Sequence, residues 1–207
     1  MRISELSAKS GVTIPTIKYY LREGMLHQGE QMAATRAEYD DTHLRRLRVI
    51  RAMLEVGRLP VAAIKEVVAA VEDESLPLHR MLGTAHYALG PAVEPESSEE
   101  WVSARAEVDE LVTELGLNIM SYAPTRDELT QTLVRMRQLG VEMDWATYAE
   151  AAKRVAATDV SDIQFDGPRD EAVETLVLGS VLKGRALDAL RRMAQESESA
   201  RRLAPPS

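Results

Sequence analysis

Ile3-Ser-Glu-Leu-Ser-Ala-Lys-Ser-Gly-Val-Thr-Ile-Pro-Thr-Ile-Lys-Tyr-Tyr-Leu-Arg-Glu-Gly-Met-Leu26 decides how this chain folds at its amino end. Leu6, Ala8 and Val12 have the spacing of a short first helix, and Gly11 supplies the positive φ that turns it. Thr13 is placed to cap a second helix from Ile14 to Glu23, Pro15 is tolerated in its first turn, and Gly24 stops it. A short amphipathic helix, a glycine turn and a polar, basic second helix make a helix-turn-helix. That unit presents one helix end to a DNA major groove.

Working outward, residues 25–39 lack helical period and are read as a loop or small β-wing. Asp40 or Asp41 caps a third helix, Thr42 to Val56, with Leu44, Leu47, Ile50, Met53 and Leu54 on its apolar face and Gly57 as its end. A fourth begins near Pro60 and turns Val61, Ile64, Val67, Val68 and Val71 inward. Leu76 to Leu89 is helical, and Gly90-Pro91 followed by Ala92 to Ser98 reads as a Pro-containing linker. Four or five helices follow: about 99–115, 125–139 with a capping-box start at Thr125, 144–157, then a last pair over 169–182 and 184–203. The tail from Ala204 to Ser207 is expected to be disordered. The expected architecture is all-α with a small β-wing. A winged helix-turn-helix covers 1–74, a connecting helix and linker 75–98, and a helical bundle for effector binding and dimerisation 99–207.

Composition agrees. The chain is 45% hydrophobic and only 4% aromatic, so its core must be aliphatic. It has no cysteine, which excludes disulfides, thiolate metal sites and iron–sulfur clusters. No apolar run reaches membrane-spanning length and no secretory h-region is present, so a cytoplasmic protein with no membrane association is expected. The net charge of −8 divides unevenly: residues 1–60 carry +3 and the remainder −11. A basic head on an acidic body suits a DNA-binding unit joined to something else.

At the start of helix two, Thr13, Thr16, Lys18, Tyr19 and Arg22 are candidates for phosphate and groove contact. Backbone N–H groups and hydroxyls at a helix N-terminus suit phosphate oxygens, and Lys18 and Arg22 bring charge. Adjacent tyrosines point about 100° apart on a helix, so Tyr19 is placed outward and Tyr20 inward. The alternative for each charged residue singly is a solvated surface.

The pattern resembles the MerR family of transcriptional regulators. The residues that carry it are Ile3, Leu6, Gly11-Val12, Thr16-Ile-Lys-Tyr-Tyr20 and Gly24-Met-Leu26. After the wing they resume at Tyr39-Asp40, Leu44-x-x-Leu47-x-x-Ile50, Glu55-x-Gly57 and Ile64, so the match runs to about residue 72. The resemblance implies a winged helix-turn-helix, a homodimer on a near-palindromic site in double-stranded DNA, and phosphate contacts from Lys18 and Tyr19. The wing departs from the family pattern. Gln28 stands where a proline is usual, and Thr35, Arg36 and Ala37 stand near a usual Gly-Tyr-Arg, leaving Arg36 as the wing's only candidate phosphate ligand. Arg45, Arg46 and Arg48 lie on the next helix, where one near the helix start could reach backbone phosphate.

Family members commonly dimerise through one long helix directly after the DNA-binding unit. Pro91 and Pro95 forbid an unbroken one here. Two substitutes are open: a short seam of Trp101, Ala104, Val108, Leu111 and Leu115, or residues 169–200, which are preferred. The second half is loosely similar to TetR-type helical ligand domains, which dimerise through their last two helices. Trp101, Tyr122, Met143, Trp145 and Tyr148 are candidates to line a pocket for a small-molecule effector, with plain core filling as the alternative.

No catalytic motif, phosphate loop or cofactor signature is present, so no enzyme activity and no cofactor are expected. His27, His43, His79 and His86 are scattered. His79 and His86 share a helix face but lack a third ligand, so no metal site is expected. Three readings remain: a ligand-responsive dimeric regulator; a regulator whose helical half docks a protein partner and binds no small molecule; and an architectural DNA-bending protein, disfavoured because such proteins are little more than the DNA unit.

Overall fold

The computed structural model describes residues 1–33 and 36–204. It is helical throughout except for one hairpin. Helices α1 (Ile3–Ser10) and α2 (Ile14–Arg22) form the helix-turn-helix. Gly11 holds φ at 69°, and Thr13 Oγ1 accepts from the Thr16 backbone N–H at 3.4 Å as the α2 cap. Strands β1 (Glu30–Ala33) and β2 (Arg36–Glu38) pair antiparallel, with Glu30 opposite Glu38 and Gln31 opposite Ala37. The expected wing is therefore a hairpin.

Asp40 caps α3 (Asp41–Arg51), accepting from the Thr42 and His43 backbone N–H groups. The Thr42 hydroxyl also donates to it at 2.5 Å and is the main reason this carboxyl sits far below the ordinary carboxylate range. The α3 helix then loosens into a π-helical segment, Ala52–Val56. The helix stops at Gly57, as expected. Gly57 stays right-handed at φ −71°, and the left-handed residue is Arg58, at φ 54°. Gly57 is small for packing: a Cβ there would meet the Met53 carbonyl at 2.9 Å and Leu59 Cγ at 3.3 Å.

The order continues with α4 (Val61–Glu72), α5 (Leu78–Leu89), α6 (Glu99–Glu114), α7 (Pro124–Gln138), α8 (Trp145–Ser161), α9 (Arg169–Leu178) and α10 (Gly184–Leu203). The expected break between the last two helices is absent. A π-helical segment, Gly179–Lys183, joins α9 to α10, and Gly179 and Gly184 both keep right-handed helical angles. One helical rod runs from Arg169 to Leu203. The terminal Pro205, Pro206 and Ser207, part of the expected disordered tail, lie outside the described residues.

The chain divides into two compact units, and the division differs from the expected 99–207 bundle. One unit comprises residues 1–85 and 163 onward; the other is 86–162. In the first, Leu6, Ile17, Met25, Leu26, Leu47, Ile50, Met53, Ile64 and Val67 are fully buried. Helix α9 completes this core with Ala172, Val173, Leu176 and Val177. Its attachment is also ionic. Arg45 donates to Asp170 through Nε (3.0 Å) and a terminal nitrogen (2.8 Å) and approaches Glu171 at 3.4 Å, while Arg48 pairs with Glu174 at 3.4 Å. Arg169 donates to the carbonyls of Leu76 and Asp73 at 2.6 and 2.9 Å. The reason for the difference is the pattern of α9 itself, apolar on several sides, which is buried on the head.

In the second unit α6 and α7 pack as an antiparallel pair around Trp101, Ala104 and Val134. Trp101, Ala104, Val108 and Val112 are buried, so the short seam considered for dimerisation is used within the chain. Arg105 and Arg126 interlace with Asp109 and Asp127 and donate to the carbonyls of Ser121 and Met120. Helix α8 buries none of its residues.

Candidate nucleic-acid interface

Helix α2 turns Ile17 and Tyr20 into the core. Those two positions fix the rest. Pro15, Lys18, Tyr19 and Arg22 fall at i, i+3, i+4 and i+7 and form one exposed stripe along the helix. Tyr19 is 36% exposed and Tyr20 is 7% exposed, as the 100° step requires. Burial also pushes the Tyr20 hydroxyl up from its ordinary pKa, with the nearby Glu55 acting in the same direction. The Arg22 guanidinium lies 5.5 Å from the Tyr19 ring centroid, a cation–π distance that holds both groups at the surface.

At the amino end of the stripe, Thr13 and Thr16 share a hydroxyl–hydroxyl hydrogen bond of 2.8 Å beside the first-turn N–H groups. An anion placed here meets two hydroxyls and the positive end of the helix. Thr13, Thr16, Lys18, Tyr19 and Arg22 are thus brought together on one helix. Arg36 opens β2, but its side chain lies outside the described residues.

The arginines of α3 are engaged elsewhere. Arg45 and Arg48 hold α9, Arg46 pairs with Glu72 at 3.3 Å, and Arg51 joins the Ser10 carbonyl (3.1 Å) to Glu55 (2.8 Å). Arg45, Arg46 and Arg48, considered above for phosphate contact, are engaged in these ion pairs. Lys18 has no acidic partner among the described residues, and Arg22 has only Glu23 at 3.8 Å. Lys18 and Arg22 thus keep exposed positive charge on α2.

The five candidate pocket residues of the second half do not form one site. Trp101 is core between α6 and α7. Tyr122 is 60% exposed in the loop that joins those helices, Met143 and Trp145 are half-buried at the start of α8, and Tyr148 is exposed on it.

Two histidines read as scattered are neighbours. The His27 and His43 rings lie 3.8 Å apart, and His43 is buried against the Asp40 cap. Spacing along the chain gives no sign of this, because the whole wing intervenes. Only the fold closes the gap.

Known proteins carry similar chains. Residues 1–71 match the family model for the MerR HTH family regulatory protein. No curated protein matches. Among solved structures, the crystal structure named "putative transcriptional regulator SCO5550 from Streptomyces coelicolor A3(2)" is 39% identical, matches over the whole of both chains, and superposes with a TM-score of 0.80. With the helix-turn-helix, the hairpin wing and the outward stripe of α2 in place, the chain belongs to the MerR family of helix-turn-helix regulatory proteins.

Proposed function

We propose that this protein regulates transcription as a homodimer, each copy setting α2 into the major groove of one half of a near-palindromic site. The observation that carries the reading is the α2 stripe, where Lys18, Tyr19 and Arg22 stand exposed while the arginines of α3 are held in ion pairs. Lys18 and the Tyr19 hydroxyl contact phosphates, and Thr13 and Thr16 set the register at the helix start. Arg36 supplies a wing contact. Phosphate neutralisation makes such binding fall with salt by about 0.9 logarithmic units per contact. Lys18→Ala should therefore weaken binding to specific and unrelated duplexes alike and reduce the salt slope by about 1. Fluorescence anisotropy across a salt series measures both; an unchanged slope removes Lys18 from the phosphate contacts.

Dimerisation is assigned to α10. Leu187, Leu190 and Met193 are 47%, 61% and 64% exposed, an apolar succession too large for a helix that meets only water. The long helix that family members place directly after the head comes here at residues 169–203, following the unit 86–162.

That unit is assigned the input. A small-molecule effector near Met143, Trp145 and Tyr148 is one reading. The exposure of Tyr122, Leu139, Val141 and Tyr148 favours the second, docking of a protein partner on the surface of this unit. Trp145→Ala should abolish the response to the input and leave DNA affinity intact. Equal loss of both would instead mark Trp145 as structural.

A further inference from the structure

Three side chains meet at the base of the wing. His27 precedes β1, and Asp40 and His43 follow β2. One nitrogen from each imidazole and one Asp40 oxygen all lie within 4.8 Å of one another. His43 Nδ1 is 2.7 Å from Asp40 Oδ1 and 3.1 Å from the Asp40 backbone nitrogen. Thr42 Oγ1 fits between the partners, 2.9 Å from His27 Nε2 and 2.5 Å from Asp40 Oδ1.

A helix cap explains only part of this. Protonated on Nδ1, His43 donates to Asp40 Oδ1 at 2.7 Å, and that tautomer leaves the far side of its ring a bare acceptor. The other ring nitrogen, Nε2, is buried with no hydrogen-bond partner, and the whole residue is 3% exposed. A buried imidazole with one nitrogen unsatisfied costs free energy that a cap alone does not recover. Beside the cluster is a hollow of about 380 Å³ whose lining includes His27, Asp40 and His43 together with Glu30 and Glu38. Those two glutamates are direct cross-strand partners.

We infer that His27, Asp40 and His43 form a binding site for a divalent transition-metal ion that ties the two ends of the wing hairpin together. Two imidazoles and one carboxylate form a nitrogen–oxygen donor set suited to zinc, with a position left open for water. Bonds of about 2.0–2.2 Å to an ion draw the donor atoms to about 3.5 Å apart, which asks for side-chain shifts of about 1 Å from their present spacing. The ion closes the loop from residue 27 to residue 40 and so fixes the wing against α3. The ligands are spread across the DNA-binding head rather than the second unit, and none belongs to the α2 stripe. Metal binding is thus a property of the free chain, measurable without DNA.

The test uses the full chain stripped with a chelator. Titration with Co²⁺, followed by its visible absorption, should show one ion bound per chain. Zn²⁺ should displace it and bind at micromolar concentration or tighter in competition with a chromophoric chelator. His27→Gln and Asp40→Asn should each weaken binding at least tenfold, whereas His79→Gln, at an exposed site on α5, should not change it. His27 is only half-buried, so His27→Gln remains informative even where a change at His43 fails to fold. Zn²⁺ should also slow hydrogen exchange at the amides of Gln31 and Ala37 in the parent chain and leave it unchanged in His27→Gln. The inference is overturned if the stripped chain takes up no ion below millimolar concentration, if His27→Gln binds as tightly as the parent, or if bound Zn²⁺ leaves exchange in the hairpin as it was.

Discussion

Glu174 shows how a single ionisable group reports on the packing around it. It sits on α9 with 8% of its surface exposed, and burial pushes its carboxyl above the ordinary value of 4.5 while the guanidinium groups of Arg48 and Arg45 pull the other way. The folded chain therefore holds this proton more tightly than the unfolded chain does. The stability it contributes is complete below the ordinary carboxylate value and is lost as pH rises through the folded one. Glu174→Gln removes the titration. Its melting temperature should gain on the parent as pH rises from 4.5 towards neutrality, in calorimetry at matched ionic strength; parallel curves would show that Arg48 already cancels the cost. Nothing in the sequence marks Glu174, because the acid and its arginine partners are far apart along the chain. Gly57 and Arg58 give the same lesson. A glycine at a helix end invites a left-handed assignment, yet the constraint at Gly57 is a crowded carbonyl, and Arg58 takes the unusual φ. Room beside a backbone is a property of the neighbours. By contrast, Thr13, Gly11 and the inward and outward tyrosines were legible, because each is decided within a few residues by capping or by the helical step.

Among the elements, the helices themselves followed from apolar period and end signals, and most ends fall within two or three residues of those expected. Their partners did not. The terminal rod was read as two helices, 169–182 and 184–203, but a π-helical segment carries the helix through. Its two halves have opposite characters: α9 is buried on the head, while α10 buries none of its residues. If α10 is the dimer seam, Leu190→Glu should convert the protein to a monomer in sedimentation velocity without lowering its melting temperature by more than a few degrees. A charge desolvated in an apolar interface costs several kcal/mol, enough to shift association by orders of magnitude. A variant that remains dimeric moves the seam elsewhere.

For the whole molecule, the two compact units predict two responses to damage. Trp101 is the large side chain of the α6–α7 core, and Trp101→Ala should cost the unit 86–162 about 3–5 kcal/mol. The remaining Trp145 fluorescence should then report an early transition, while affinity for duplex DNA stays at the parent level. A single shared transition would show that the units melt together. The exposed stripe on α2 was readable from sequence since its residues are contiguous. The histidine–aspartate cluster was hidden by the wing between its members. Among the candidate pocket residues, Trp101 serves a core and Tyr122 and Tyr148 face solvent, a difference that the mere scarcity of aromatics does not reveal.

The return of α9 to the head has a genetic corollary. Codons for residues 169–178 help to build the unit that residues 1–85 belong to. A nonsense mutation ahead of Arg169 strips the cover from Arg45, Arg48 and the apolar side chains beneath them, so it should behave as a loss-of-operator-binding allele instead of a trimmed tail. In-frame deletions confined to 86–162 should spare binding to duplex DNA.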